Sequence, residues 1–242
     1  MEVEKQRKPR VLCLHGFRTN AKILHKLTRR LPETVLQKLD LVFLDGPFPA
    51  EGKSDVEGIY DPPYYEWFQA NQDFTEFFNF EECLTYIEDY MVKNGPFDGF
   101  LGFSQGAFLS AALPGMQSQG LALRKAERIK FLILISGGKF GAKKFGVPKL
   151  ASNAFSKPID IPSLHFIGEK DFLKEEGTAL LDAFVNPCVI HHPIGHTVPR
   201  LDDKGVKTML GFIDKIQSIP SSLPHNTTTT THSETEAFDI LI

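Results

Sequence analysis

Phe97-Asp98-Gly99-Phe100-Leu101-Gly102-Phe103-Ser104-Gln105-Gly106-Ala107 decides the architecture of this chain. Phe97 to Phe103 is almost continuously apolar, as in a strand buried on both faces of a parallel sheet. From Gln105 to Met116 the pattern turns helical. Between them stands Gly-x-Ser-x-Gly in the strand–turn–helix setting that gives the pattern meaning. So tight a turn forces Ser104 into a strained backbone conformation, and glycines at 102 and 106 let strand and helix approach without side-chain clash. The Ser104 hydroxyl is thereby projected above the sheet at a helix N-terminus, whose partial positive charge favours a developing oxyanion.

Working outward, the same alternation recurs. Apolar runs at Val11–Leu14, Leu39–Leu44, Ile129–Ile135, Ser163–Ile167 and Cys188–His192 end in Gly, Pro, Asp or Ser. Helix-length segments lie between them: Thr19–Leu31, Phe80–Val92, Gln105–Met116, Gly177–Val185 and Asp203–Gln217. Strand and helix in alternation predict an α/β fold with a mostly parallel, doubly wound sheet of about six strands and helices on both faces. Two connections, Pro47 to Thr75 and Gly137 to Pro162, exceed plain loops. The first carries Tyr60, Tyr64, Tyr65, Trp67, Phe68 and Phe74. Long insertions after strands serve as pocket walls or lids, so Trp67, Phe68 and Tyr65 are expected to line an apolar substrate pocket.

Residues 1–9 read as a flexible N-terminal segment, 10–217 as one domain and 218–242 as a disordered Ser/Thr-rich tail containing five consecutive threonines. Net charge is −3, so a nucleic-acid partner has no electrostatic support. Three scattered cysteines, Cys13, Cys83 and Cys188, exclude a disulfide-rich scaffold and a zinc ribbon. The first ten residues lack the apolar core of a secretory signal, and no run is long enough for a transmembrane helix. The expected location is a reducing compartment, the cytoplasm with the nucleus as a second site. No metal or cofactor motif is present, and oligomeric state is not readable.

A serine hydroxyl needs a base to take its proton, and in this layout the partners follow in the order Ser, Asp, His after later strands. Gly168-Glu169-Lys170-Asp171 lies just past one strand and Gly195-His196 just past the next. Asp171 is the favoured acid, with Glu169 and Asp160 as competitors; His196 is the favoured base, with His191 and His192 as competitors. His191 and His192 stand within a strand run, where one would point inward and one outward. Two backbone donors should form the oxyanion hole: the N–H of Gln105 and, from the turn His15-Gly16-Phe17-Arg18, the N–H of Phe17. His15 is expected to brace that loop by hydrogen bonding.

At this point the chain resembles the FSH serine-hydrolase family of α/β-hydrolases, its plant members in particular. The resemblance rests on Val11 to Arg18, Leu44 to Pro47, Tyr65-Glu66-Trp67, Phe97 to Ala107, Gly168 to Asp171 and Gly195-His196-Thr197-Val198-Pro199. It implies the α/β-hydrolase fold and places nucleophile, acid and base on Ser104, Asp171 and His196. Thr19 and Ile194 depart from the family pattern, which more often has Gln and Gly there. The function implied is cleavage of a small-molecule carboxylic ester or thioester with an apolar acyl chain, without a cofactor. The competing expectations are a triad-bearing small-molecule receptor with slow or no turnover, and an acyl-protein thioesterase, a family that shares Gly-Phe-Ser-Gln-Gly.

Overall fold

A computed structural model describes residues 7–142 and 145–219; the expected tail from residue 220 onward lies outside them. Six strands form the main sheet: β1 (Arg10–Leu14), β2 (Asp40–Leu44), β3 (Gly99–Phe103), β4 (Phe131–Ile135), β5 (Ser163–Gly168) and β6 (Cys188–His192). All pairings are parallel and the spatial order is β6-β5-β4-β3-β1-β2. The helices are α1 (Ala21–Thr28), α2 (Glu33–Leu36), α3 (Phe80–Asn94), α4 (Gln105–Ser118), α5 (Lys174–Leu181) and α6 (Asp203–Gln217). No helix among the described residues is long and apolar enough to cross a membrane.

Period-two alternation divides the core. On β1, Leu12 and Leu14 join one cluster, with Cys83, Ile87 and Met91 of α3 and Leu109 to Leu113 of α4. Val11 and Cys13 point the other way, to Ile23, Leu24 and Leu27 of α1 and Met209, Phe212 and Ile213 of α6. Each face of the sheet therefore holds one fully buried thiol, Cys13 or Cys83, whose pKa burial raises. Cys188 is half-buried.

The N-terminal ends of β1, β3 and β4 are drawn together by Asp98. Its carboxylate accepts from Arg7 Nη1 and Nη2 (2.6 and 2.9 Å), the Arg10 backbone N–H (2.8 Å) and Lys130 Nζ (3.0 Å). Burial alone would raise the Asp98 pKa; these bonds, led by Arg7, outweigh it and hold the carboxyl below the ordinary range. Arg7 and the Pro9 carbonyl, which accepts the Asp40 N–H (2.9 Å), thus contact the domain, and residues 1–6 of the expected flexible segment lie outside the described residues.

Element bounds differ locally from expectation. α1 stops at Thr28, and Pro32 opens the short α2, which no sequence pattern announced. α5 starts three residues early because Asp171 Oδ1 accepts the Leu173 N–H (2.9 Å) and closes a turn ahead of it. Within 47–80, two small antiparallel ribbons pair Phe48–Pro49 with Tyr65–Glu66 and Gln69–Ala70 with Phe77–Phe78.

The strand order reverses between β1 and β3, which send their helices to opposite faces. In open parallel sheets the crevice at the carboxyl ends of such strands is where ligands bind. The loops after β1 and β3 meet there.

Candidate active site

Ser104 occupies this switch point at φ 54°, ψ −117°, a conformation that a residue with a side chain rarely adopts. Three features hold it. Its N–H donates to Ile135 O on β4 (3.1 Å). A Cβ at Gly102 would lie 2.4 Å from Gly106 O, and one at Gly106 would lie 2.2 Å from Leu14 O, so strand, turn and helix are in backbone contact. A Cβ at Gly16 would stand 3.3 Å from Ser104 Cβ, so the loop after β1 passes directly over the serine.

Asp171 and His196 arrive on the turns after β5 and β6, which are laced together by Glu169 N–H to His192 O (2.8 Å) and Lys170 N–H to Ile194 O (3.3 Å). His196 Nε2 is 2.9 Å from Ser104 Oγ, and His196 Nδ1 is 2.9 Å from Asp171 Oδ1. With Asp171 ionised, Nδ1 carries the ring proton and Nε2 is free to accept from the Ser104 hydroxyl. Burial works to raise the Asp171 pKa, but the bond from His196 and its other donors bring it below the ordinary carboxylate value. The pair is sheltered: the Asp171 side chain is 2% exposed and that of His196 21%.

The competing acids and bases are elsewhere. Glu169 is exposed and paired with Lys174. Asp160 is exposed ahead of β5, at the end of the sheet away from Ser104. His191 points outward, 3.7 Å from Glu169, and His192 points inward, both its ring nitrogens lacking partners among the described residues. The backbone N–H groups of Phe17 and Gln105 have no acceptor among the described residues, as an oxyanion site requires.

The chain matches the family model "Serine hydrolase (FSH1)" over residues 2–208. It belongs to the FSH1 serine hydrolase family. Esterase OVCA2 of Danio rerio is 30% identical over 86% of this chain and 97% of its own length. Rhodanese-like domain-containing protein 6 of Arabidopsis thaliana is also 30% identical, over 88% of this chain, which spans only 39% of that protein. Zea mays acyl-protein thioesterase 2 superposes with a TM-score of 0.56 at 19% identity, covering 88% of this chain and 97% of the maize chain, and shares the α/β-hydrolase fold. As an FSH1 family member the protein is a hydrolase of the carboxylesterase/thioesterase type.

His15 organises the loop of this FSH1 hydrolase that overlies Ser104. Its Nδ1–H donates to Gly16 O (2.8 Å) and its Nε2 accepts the Gly46 N–H (2.9 Å), while its own carbonyl receives Trp67 Nε1–H (2.9 Å) and the Gly106 N–H (3.1 Å). Burial lowers the His15 pKa to about 4, and burial does the same for His165. Both are therefore neutral when folded and protonate near 6.5 when unfolded. Between those values the unfolded chain binds more protons, so stability declines as pH falls from about 6.5 to 4 and is constant below. Each histidine should remove about 2 kcal/mol between pH 7 and pH 5. Urea unfolding at the two pH values measures these together with a contribution of the same sign from His192, whose pKa burial also lowers, and His165→Leu should reduce the pH dependence by about 2 kcal/mol.

The aromatic insertion is placed differently from expectation. Trp67 is fully buried, with its indole N–H given to His15 O, and its ring centroid is 5.1 Å from that of His15. Phe68 is also buried, with Phe77, Phe80 and Phe140 edge-on or tilted at 5.3–5.9 Å. Neither lines an open pocket; both fill the core under the site, because an indole N–H taken out of water needs an acceptor and found it in the His15 carbonyl. Tyr65 keeps a partly exposed side chain. Trp67→Ala should therefore act on folding, costing roughly 3–5 kcal/mol in chemical denaturation, rather than tuning chain-length preference alone.

Two positioning side chains were missed by the sequence reading. The Gln105 side chain accepts the Trp67 N–H (3.1 Å) and donates to Phe68 O (2.8 Å), clamping the insertion to the turn at Ser104. Arg18 Nε donates to Glu66, which is 1% exposed, at 2.7 Å, and Arg18 Nη1 donates to Lys53 O (3.1 Å) while its guanidinium covers the Phe17 ring at 4.6 Å. The only sequence signal for either was membership of the matching stretches; each hydrogen-bond partner lies more than thirty residues away.

Proposed function

We propose that this chain cleaves carboxylic esters and thioesters of apolar acyl chains through an acyl-enzyme on Ser104, with His196 as base and then acid and Asp171 as the residue that orients it. The observation that carries this reading is the continuous 2.9 Å and 2.9 Å relay from Ser104 Oγ through His196 to Asp171. Ser104 Oγ bonds to the carbonyl carbon as its proton passes to His196 Nε2. The carbonyl oxygen, now negative, turns to the Phe17 and Gln105 N–H groups. The bond to the alcohol oxygen or thiol sulfur then breaks as Nε2–H protonates it. Water repeats the sequence on the acyl-enzyme and releases the acid.

Support for an apolar acyl group is narrower than the aromatic insertion suggested. Phe17, 37% exposed beside the oxyanion loop, and the partly exposed Tyr65 are the surfaces available. A buried methylene is worth roughly 0.8 kcal/mol, so the two added from acetyl to butanoyl should raise kcat/KM by at most about fifteenfold. A p-nitrophenyl series from acetate to octanoate measures this. Phe17→Ala keeps the backbone N–H and should flatten the dependence. A maximum at acetate would remove the acyl preference and leave the hydrolytic reading in place.

A further inference from the structure

Phe172 follows Asp171 directly and is 68% exposed, the Asp171-to-Leu173 turn throwing its side chain outward. A lone exposed phenyl needs no explanation. This one lies against the imidazole of His196, ring centroids 4.4 Å apart and planes inclined by 36°, while the buried Phe103 ring contacts the same imidazole at 5.1 Å. Ile194, 40% exposed, sits two residues before His196 on the turn laced to the Asp171 turn. Exposed apolar surface is thus gathered on the two turns that carry His196 and its carboxylate.

The chemistry of acyl transfer says which part of a substrate comes to that side. Resting on the reading of Ser104, His196 and Asp171 above, the proton that His196 took from Ser104 must pass from Nε2 to the departing oxygen or sulfur. The alcohol or thiol half of the substrate is therefore held against the imidazole, whereas the acyl half extends from the carbonyl carbon over Ser104 and the oxyanion loop. A group attached to the departing atom meets whatever flanks His196. We propose that Phe172 is the floor of a leaving-group subsite, and that the enzyme favours esters and thioesters whose alcohol or thiol is apolar and preferably planar.

Two features make Phe172 suited to this. Its ring presents a flat, uncharged face that an aryl or alkyl group can cover, and contact with such a group returns to burial a phenyl that folding left in water. The nearby charged side chain of Glu169 is paired with Lys174, so no free charge is presented to a polar alcohol by that pair. The step itself is unchanged: the carbon–oxygen or carbon–sulfur bond breaks, the proton goes from Nε2 to the leaving atom, and the acyl group stays on Ser104.

The test holds the acyl group at butanoyl and varies the alcohol through methyl, n-butyl and benzyl. Methanol and benzyl alcohol have nearly equal acidities, so intrinsic leaving ability does not mask binding. In the unaltered protein kcat/KM should rise from methyl to benzyl by about tenfold, the worth of one aromatic contact. Phe172→Ala should lower benzyl turnover by about tenfold and methyl turnover by about twofold, closing most of the gap, and Phe172→Tyr should restore it. A parallel series of benzyl acetate, butanoate and octanoate should keep its slope in Phe172→Ala. An unaltered benzyl-to-methyl ratio in Phe172→Ala overturns the proposal, since the ring would then only pack on His196. Loss of the acyl slope instead would place the acyl chain there and overturn it equally. Ester hydrolysis surviving in Ser104→Ala would defeat the underlying reading, a result separable from any outcome of the alcohol series. Because Phe172 is exposed, its variants should melt within a few degrees of the parent, which thermal denaturation checks.

Discussion

His196→Ala is expected to lower kcat by about 10⁴ or more, and Ser104→Ala should both remove turnover to a similar extent and prevent covalent labelling by a fluorophosphonate. Each expectation comes from a separate part of the geometry. Without the imidazole, Ser104 Oγ has no acceptor for its proton, and the leaving group has no donor. Without the hydroxyl, the acyl-enzyme cannot form, whatever the base does. The double substitution should be little worse than either single one, since the groups act as a unit. Asp171→Asn should also cost a large factor: an amide can donate to Nδ1, which would move the ring proton to Nε2 and take away the acceptor for Ser104. On the proposed mechanism, what should remain in every variant is the contribution of the Phe17 and Gln105 N–H groups. The measurements are steady-state hydrolysis of a p-nitrophenyl ester, gel-based labelling and a thermal melt to establish folding. Labelling that persists in Ser104→Ala, or a crippling Glu169→Gln beside a mild Asp171→Asn, would give the roles to other residues.

Gly106→Ala is expected to have the largest effect on stability. A Cβ there would stand 2.2 Å from Leu14 O and 2.7 Å from His15 O, both backbone atoms, so no side chain can turn aside to make room. α4 would have to lift from β1, breaking the Gly106 N–H bond to His15 O and loosening the turn that sets Ser104. Roughly 4 kcal/mol or more of destabilisation is expected, in the range reserved for backbone clashes and core cavities. For a domain of this size that is a fall in Tm of about 10 °C. Gly211→Ala is the matched control, since it lies within α6 with nothing inside 4 Å of a Cβ. Alanine there should be neutral or stabilising by up to about 1 kcal/mol. Equal losses at the two positions would show that the clash is relieved by some movement absent from this structure.

The contrast between these glycines shows what a sequence can and cannot tell. Gly102, Ser104 and Gly106 were legible because a sharp strand-to-helix turn admits few residue types, and the apolar run before it says where the strand is. Asp171 and His196 were legible as candidates because each follows a strand end, and every strand end in a parallel sheet faces the same crevice. Trp67 and Phe68 were legible as apolar and misplaced as pocket lining. Aromatic density reports that rings will be buried against something, not whether the something is a ligand or α3 and α4. The Arg7–Asp98, Arg18–Glu66 and Gln105–Trp67 contacts were invisible, since each joins segments whose adjacency only the folded topology creates. Phe172 was passed over for the opposite reason: one phenyl beside an acidic residue forms no pattern, and its meaning lies in the imidazole it touches.

The two thiols sealed on opposite faces of the sheet give the molecule a pair of built-in clocks. Cys13, on β1, lies under α1 and α6, and Cys83, on α3, is turned inward onto the other face of the sheet; neither can meet an alkylating reagent until its own layer of helices parts. Pulsed modification followed by mass spectrometry would therefore time the two layers separately, with the half-buried Cys188 read alongside them for comparison. Equal rates at Cys13 and Cys83 would mean that the sheet is uncovered in one cooperative event. Unequal rates would identify which layer opens first, and whether the face that carries α4, and with it the base of the Ser104 turn, is the slower to let go.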